Sequence, residues 1–156
     1  MKYKIKGVQL VKRKFLIDNR GQVRHGFRAS EGTIGEAYIS TVNRGVVKAW
    51  HVHSFMTLRY LAVTRPLMVG LVDVRDDSPT FGSFMKLRLN FYGNSYNMLI
   101  IPPGVANGYR LYPNDFSDMG VLLNIPDMEH DPGEIERIPI ESFPFPFDWG
   151  EYKVSG

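Results

Sequence analysis

The stretch "GVVKAWHVH", Gly45–His53, sets two histidines two residues apart beside a tryptophan and a lysine. In a β-strand, residues i and i+2 point to the same face, whereas on a helix they diverge by roughly 200°. A joint role for His51 and His53 therefore requires a strand. An unbroken strand puts Val47, Ala49, His51 and His53 on one face, with Lys48, Trp50 and Val52 on the other. Three readings are open at this point: a metal clamp, a catalytic base with a neighbour, or the polar face of a strand.

The surrounding chain favours a strand. "KYKIKGVQLV", "EAYIST", "TLRYLAV", "LMVGLVDVR", "FMKLRLN", "NMLIIP", "NGYRLY" and "MGVLLNI" are short runs rich in Val, Ile, Leu and aromatics. They are separated by breakers such as "DNRGQ", "VNRG", "RDDSPTFGS", "YGNS", "PPG" and "YPND" at roughly 8–12-residue spacing, the pattern of a sandwich or barrel. "LMVGLVDV" is apolar on both sides, as in a strand covered on both faces. No long capped helical period occurs. The expected fold is all-β, a jelly roll (double-stranded β-helix) with little helix, whose inward side chains alternate along each strand. From Pro126 the texture changes to "IPDMEHDPGEIERIPIESFPFPFDW", and five prolines there predict an irregular tail. Phe143, Phe145, Phe147 and Trp149 are expected to anchor it by packing on the barrel. One domain is expected over 1–156: an N-terminal strand segment over 1–30, a barrel core over 31–125 and the tail over 126–156.

Composition narrows the chemistry. The chain has 156 residues and no cysteine, which excludes disulfides, cysteine nucleophiles and thiolate zinc sites. Nineteen Lys and Arg against 16 Asp and Glu give a net charge of +3, compatible with an anionic small ligand but too diffuse to indicate nucleic acid. "MKYKIKGVQLVKRKF" lacks the continuous apolar core of a signal peptide, and no run approaches the ~18 apolar residues of a membrane span. A cytoplasmic protein that contacts neither nucleic acid nor membrane is expected.

Gly45–His53 matches the G-x5-H-x-H opening of the metal-binding cupin motif. That motif continues with a glutamate three or four residues after the second histidine, and none stands near Met56–Leu58. Its second half, P-x-G-x2-H, corresponds to "PPGVAN", with Asn107 in place of the histidine. A catalytic metal normally needs three protein ligands, and two remain. The expectation is a cupin barrel without metal or other cofactor.

Four ordered motifs resemble the dTDP-4-dehydrorhamnose 3,5-epimerase family, a metal-independent branch of the cupins. "DNRG" (Asp18–Gly21) is similar to the family's "D-x-R-G", and "GVVKAWH" to its "GVLRGLH". "VDVRDDSPTFG" (Val72–Gly82) resembles "VDLR-x-x-SPTFG", and "LIIPPGVANGY" (Leu99–Tyr109) resembles "IPPGFAHGF". The resemblance implies C3 or C5 epimerisation of a nucleotide-linked 4-keto hexose, in carbohydrate or cell-surface polysaccharide biosynthesis. His51 takes the place of the family's general base. Protons beside the C4 ketone are acidic because the carbanion delocalises into an enolate, and imidazole is suited to remove one. The resemblance assigns Lys48 to the diphosphate, and His53, Asn107, Tyr109 and Arg20 to substrate contacts. It also puts Arg59 where the enolate oxygen would form, with Asp73 supporting it. An Arg59–Asp73 ion pair is the plain alternative for those two. A homodimer that exchanges N-terminal strands is implied as well.

The chain departs from that pattern at the acid. The family tyrosine would fall at Gly120, which leaves Tyr60, Tyr109 and Tyr112 as candidate substitutes that spacing does not separate. Asp148 is the candidate for the family aspartate that orients the base. His25 and His130 lie in loop-like sequence and read as solvated, and Trp50 as packing against a second sheet. Three functions follow: an epimerase or related ketoisomerase, a non-catalytic sugar-nucleotide-binding cupin, and a metal-dependent cupin enzyme.

Overall fold

The computed structural model describes residues 4–156. Lys2 and Tyr3, at the start of the expected exchange arm, lie outside the described residues. The strands are β1 (Gln9–Lys12), β2 (Phe15–Asp18), β3 (Gly21–Arg24), β4 (Tyr38–Asn43), β5 (Val46–His53), β6 (Leu58–Ala62) and β7 (Leu67–Asp73). They continue with β8 (Phe84–Leu89), β9 (Asn97–Ile101), β10 (Val105–Leu111), β11 (Met119–Asn124), β12 (Ile135–Arg137) and β13 (Val154–Ser155). Helical structure among the described residues is confined to single turns at Ala29–Glu31 and Ile140–Ser142.

Two sheets face each other. One runs β1-β9-β6-β11-β4 and the other β12-β5-β10-β7-β8, with β13 added in parallel to β5. The period-2 alternation of the strands sorts side chains between this interior and the two outer faces. Leu58, Tyr60 and Ala62 of β6, Leu67, Val69 and Leu71 of β7, and Leu99 and Ile101 of β9 meet between the sheets. Each fully buried aliphatic side chain of this kind stabilises the fold by about 1.5–3 kcal/mol. The alternate residues of β7, Met68 and Val72, face outward and are buried under the tail. Strand β7 is therefore covered on both faces, as its unbroken apolar sequence predicts.

The tail is more ordered than its prolines suggest. Ile135–Arg137 pairs antiparallel with β5, aligning Ile135 with His53 and Arg137 with His51. Trp50 stacks on Phe143 at 4.3 Å between ring centroids and meets Phe147 edge-on at 4.9 Å. Its partner is thus the tail and not the second sheet. Glycine at position 70 leaves room for this layer: a Cβ there would come within 2.5 Å of Phe147 and 2.6 Å of Trp149.

Strand β5 departs from the unbroken alternation. Val47, Ala49, Trp50 and Val52 all belong to the outer cluster under the tail, so Ala49 and Trp50 are two successive outward residues. The register between β10 and β5 shifts at the same place, pairing Asn107 with His51 but Tyr109 with Lys48. Such a bulge switches which face the following residues occupy. Lys48 consequently lies on the inner side with His51 and His53, while Val47 and Ala49 do not. This corrects the grouping expected from simple alternation.

The packing over Gly70 predicts that Gly70→Ala destabilises the protein by about 1–3 kcal/mol through overpacking. Urea denaturation followed by tryptophan fluorescence measures it, and an unchanged midpoint would contradict the arrangement.

Candidate active site

At one end of the sandwich the inner faces of β4, β5, β6 and β10 line a cavity of about 590 Å³. Ser40 and Tyr38 reach it from β4, Lys48, His51 and His53 from β5, Tyr60 from β6 and Tyr109 from β10. The tail contributes His130, Ile135 and Arg137, and Glu36 stands at the edge of β4. His130 is exposed, as expected, and borders the cavity.

The two histidines differ in how they are held. His53 is buried, and its Nδ1 pairs with Oε1 of buried Glu134. The backbone N–H groups of Phe55 and Met56 donate to the other carboxylate oxygen, each at 3.2 Å. Burial pushes the Glu134 carboxyl up, but these hydrogen bonds outweigh it and hold the group below its ordinary range. With Nδ1 occupied, Nε2 is the His53 nitrogen left for the cavity. The imidazole of His51 makes no hydrogen bond among the described residues. Burial, reinforced by the positive charges of Arg137 and Lys48, lowers its pKa to about 4. At neutral pH its ring is therefore an unprotonated base.

A chain of polar groups crosses the same cavity. Lys48 Nζ donates to Ser40 Oγ at 2.9 Å and to the Thr41 carbonyl at 3.3 Å. Ser40 Oγ and the Tyr109 hydroxyl share a hydrogen bond of 2.6 Å. Burial lowers the Lys48 pKa and raises that of Tyr109. Tyr38 accepts a hydrogen bond from Asn124 Nδ2 at 2.9 Å. One carboxylate oxygen of Glu36 is buried without a partner. The guanidinium of Arg137 forms no hydrogen bond among the described residues and stays available for an anion.

Of the residues expected from sequence, the structure brings together Lys48, His51, His53 and Tyr109. It places the others elsewhere. Arg59 follows the alternation of β6 outward: its guanidinium sits 4.0 Å over the Phe27 ring and donates to the carbonyls of Thr33 and Ile125. Asp73 ends β7 and clasps the loop that follows. It accepts from Arg75 Nε at 2.7 Å and from the Ser78 and Thr80 hydroxyls at 2.6 Å each. Burial alone would raise its pKa, but these donors hold the carboxyl well below the usual range. The two therefore form neither a catalytic cluster nor an ion pair with each other. Asn107 lies beneath the cavity floor, accepting from the Tyr60 hydroxyl at 2.8 Å and donating to the His51 carbonyl at 3.0 Å. It fixes the floor and is fully buried. Arg20 is exposed on the β2–β3 hairpin and pairs with Asp18. Asp148 is exposed and faces Lys86, away from both histidines.

Sequence reasoning missed Tyr38, Ser40, Glu134 and Arg137. Tyr38 and Ser40 stand two apart in "EAYIST", so alternation could have placed them together. Glu134 and Arg137 lie in the proline-rich tail, where no periodicity marks an inward residue. Among the described residues, no cluster of three or more His, Cys, Asp or Glu side chains is arranged to hold a metal, and no helix is long and apolar enough to cross a membrane.

Comparison with known proteins gives the lineage. The chain is 30% identical over 151 residues to the spore coat polysaccharide biosynthesis protein SpsL of Bacillus subtilis, covering 93% of this chain and 96% of that one. It is 30% identical over 141 residues to the "Probable low-salt glycan biosynthesis epimerase Agl13" of Haloferax volcanii, covering 85% and 86% of the two chains. A dTDP sugar isomerase from Desulfovibrio desulfuricans superposes with a TM-score of 0.87 at 32% identity, covering 96% of this chain and 94% of that one. The model of dTDP-4-dehydrorhamnose 3,5-epimerase matches residues 2–155. With that span and those relatives, the chain belongs to the dTDP-4-dehydrorhamnose 3,5-epimerase family.

Proposed function

We propose that this protein inverts C3, C5 or both in a 4-keto hexose linked to a nucleoside diphosphate, in the synthesis of a cell-surface polysaccharide or glycan. The observation that carries the reading is the cavity itself, where an unprotonated imidazole, a second imidazole held by a carboxylate, a tyrosine and two cations converge. Arg137 and the remaining donor of Lys48 suit the diphosphate.

His51 is the base in this reading. It takes the proton on the carbon beside the ketone, and the electron pair passes into the enolate. Reprotonation from the opposite face inverts the centre. The cations that depress the His51 pKa in the free protein would be neutralised by the diphosphate, so the imidazole becomes a stronger base as substrate binds. Glu134 fixes His53 as a hydrogen-bond donor or acceptor toward the sugar. The same Glu134 pair favours a second reading, with His53 as the base, because a carboxylate on Nδ1 orients an imidazole and stabilises the imidazolium that forms.

A cytoplasmic homodimer fits this role. Support for the dimer comes from the β2–β3 hairpin, where Leu16, Ile17 and Val23 are 56%, 62% and 59% exposed. Strand β1, the other part of the expected exchange arm, pairs with β9 of its own chain and forms a sheet edge. Sedimentation at micromolar concentration is expected to give twice the 17.8 kDa chain mass, and a monomer would contradict the dimer.

Incubation with dTDP-linked and other nucleotide-linked 4-keto-6-deoxyhexoses in deuterated water, followed by NMR, tests the reaction. The wild type is expected to exchange deuterium at C3 or C5 with inversion. His51→Asn should lose exchange by about 100-fold or more, whereas Glu134→Gln should chiefly weaken binding. A larger loss of turnover in His53→Asn and Glu134→Gln than in His51→Asn establishes the second reading. No exchange with any substrate would overturn both. On the acid side, kcat/KM should fall only as the pH approaches about 4, where His51 becomes protonated. The acid limb of kcat should lie higher, because bound diphosphate raises the pKa of the base.

A further inference from the structure

Inversion needs a second group that delivers a proton to the face opposite the base, and the tyrosine that does so in the resembling family has no counterpart at Gly120. We propose that Tyr109 is that acid, supplied with protons through Ser40 from Lys48. The inference rests on the epimerase reading.

Connectivity distinguishes Tyr109 from the other tyrosines. Tyr60 already donates its hydroxyl proton to Asn107, and it lies at the buried floor. Tyr112 belongs to the outer cluster under the tail, with Arg88 4.4 Å above its ring. Tyr38 lines the cavity, but the group behind its oxygen is the amide of Asn124, which cannot replace a lost proton. Tyr109 alone among these four is joined to a cation through hydrogen bonds. Lys48 donates to Ser40 Oγ at 2.9 Å, which leaves the Ser40 hydroxyl proton free to point at the Tyr109 oxygen 2.6 Å away. The Tyr109 proton is then free to point into the cavity. The Lys48 ammonium also lies 5.7 Å from the centre of the Tyr109 ring, where it favours the phenolate formed after transfer.

The strand register sets the spacing. Asn107 aligns with His51 and Tyr109 with Lys48. Base and acid are therefore offset by three residues on β5 and two on β10, on the order of 7–10 Å along the strands. In the proposed relay a hexose ring sits between them, with the imidazole toward one face and the phenol toward the other.

The protons balance. The base takes H⁺ from carbon, and the enolate collapses as carbon takes H⁺ from the Tyr109 hydroxyl. The Ser40 proton moves to the Tyr109 oxygen, and a Lys48 ammonium proton moves to Ser40. Solvent then restores the ammonium and accepts the imidazolium proton. Partial burial lowers the cost of this transfer by weakening the hold of Lys48 on its proton.

Separate measurement of exchange and inversion tests the relay. With dTDP-4-keto-6-deoxyglucose in deuterated water, Tyr109→Phe should still exchange the C–H, because the base returns a deuteron to the face it came from. Inversion should fall about 100-fold or more. Ser40→Ala should lower inversion more than exchange, and the alkaline limb of inversion set by Lys48 should move in that variant while the exchange profile does not. Tyr112→Phe, in the outer cluster under the tail, should keep both. Inversion at the wild-type rate in folded Tyr109→Phe overturns the proposal, as does equal loss of exchange and inversion, or a greater loss of inversion relative to exchange in Tyr38→Phe than in Tyr109→Phe. Should Tyr109→Phe fail to fold, Ser40→Ala decides: unequal loss supports the relay and equal loss overturns it. A wild type that neither exchanges nor inverts defeats the epimerase reading itself, whereas a wild type that inverts beside an unaffected Tyr109→Phe defeats the relay alone.

Discussion

The constraint on which the cavity depends is the pair of successive outward residues in β5, Ala49 and Trp50. Without that break, Lys48 would leave the face that His51 and His53 occupy, and the chain of hydrogen bonds through Ser40 could not form. The break is held from outside. Trp50 is clamped by Phe143, Phe147 and Trp149, and its backbone exchanges hydrogen bonds with Ile138 at 2.9 and 3.0 Å. On the neighbouring strand only glycine tolerates the approach: a Cβ on Gly108 would lie 2.4 Å from that of Ala49. A tail that reads in sequence as irregular packing therefore sets the inward face of the strand that carries the cavity.

The tail acts on the cavity a second time. Strand β12 adds to the edge of β5 alongside the histidines, and it carries Arg137, which lowers the His51 pKa, while the residue just before it, Glu134, holds His53. Both effects reach the cavity from one short segment. In the proposed reaction the strength of the base and the binding of the diphosphate are thus coupled through the same guanidinium. A ligand that neutralises Arg137 would strengthen the base only when that ligand is in place.

Much of the fold was legible because strands announce themselves through period-2 alternation and turn residues. "LMVGLVDV" became the doubly covered β7, and the phenylalanines at 143, 145 and 147 became the anchor of the tail. The site was legible only where it lies on regular strand or on a motif. His51, His53, Lys48 and Tyr109 were named from sequence, but the side of the strand on which Lys48 lies was not, because a bulge leaves no local mark. Arg59 and Asp73 were placed in the cluster by motif position alone. The alternation of "TLRYLAV" sends Arg59 outward, and the short loop "RDDSPTFG" needs the Asp73 carboxylate for its own backbone and hydroxyls. Glu134 was invisible, since its pairing with His53 spans 81 residues and depends on how the tail crosses the barrel.

The central claim is that the β4–β5–β10 cavity holds a hexose between an imidazole and the Tyr109 hydroxyl, with the diphosphate on Lys48 and Arg137. A crystal structure with dTDP-glucose, which has no ketone and cannot react, tests it most directly. The account predicts the hexose ring between His51 and Tyr109 and phosphate oxygens within hydrogen-bond distance of Arg137. A nucleotide sugar bound outside this cavity, or a ring with both groups on the same face, would contradict it.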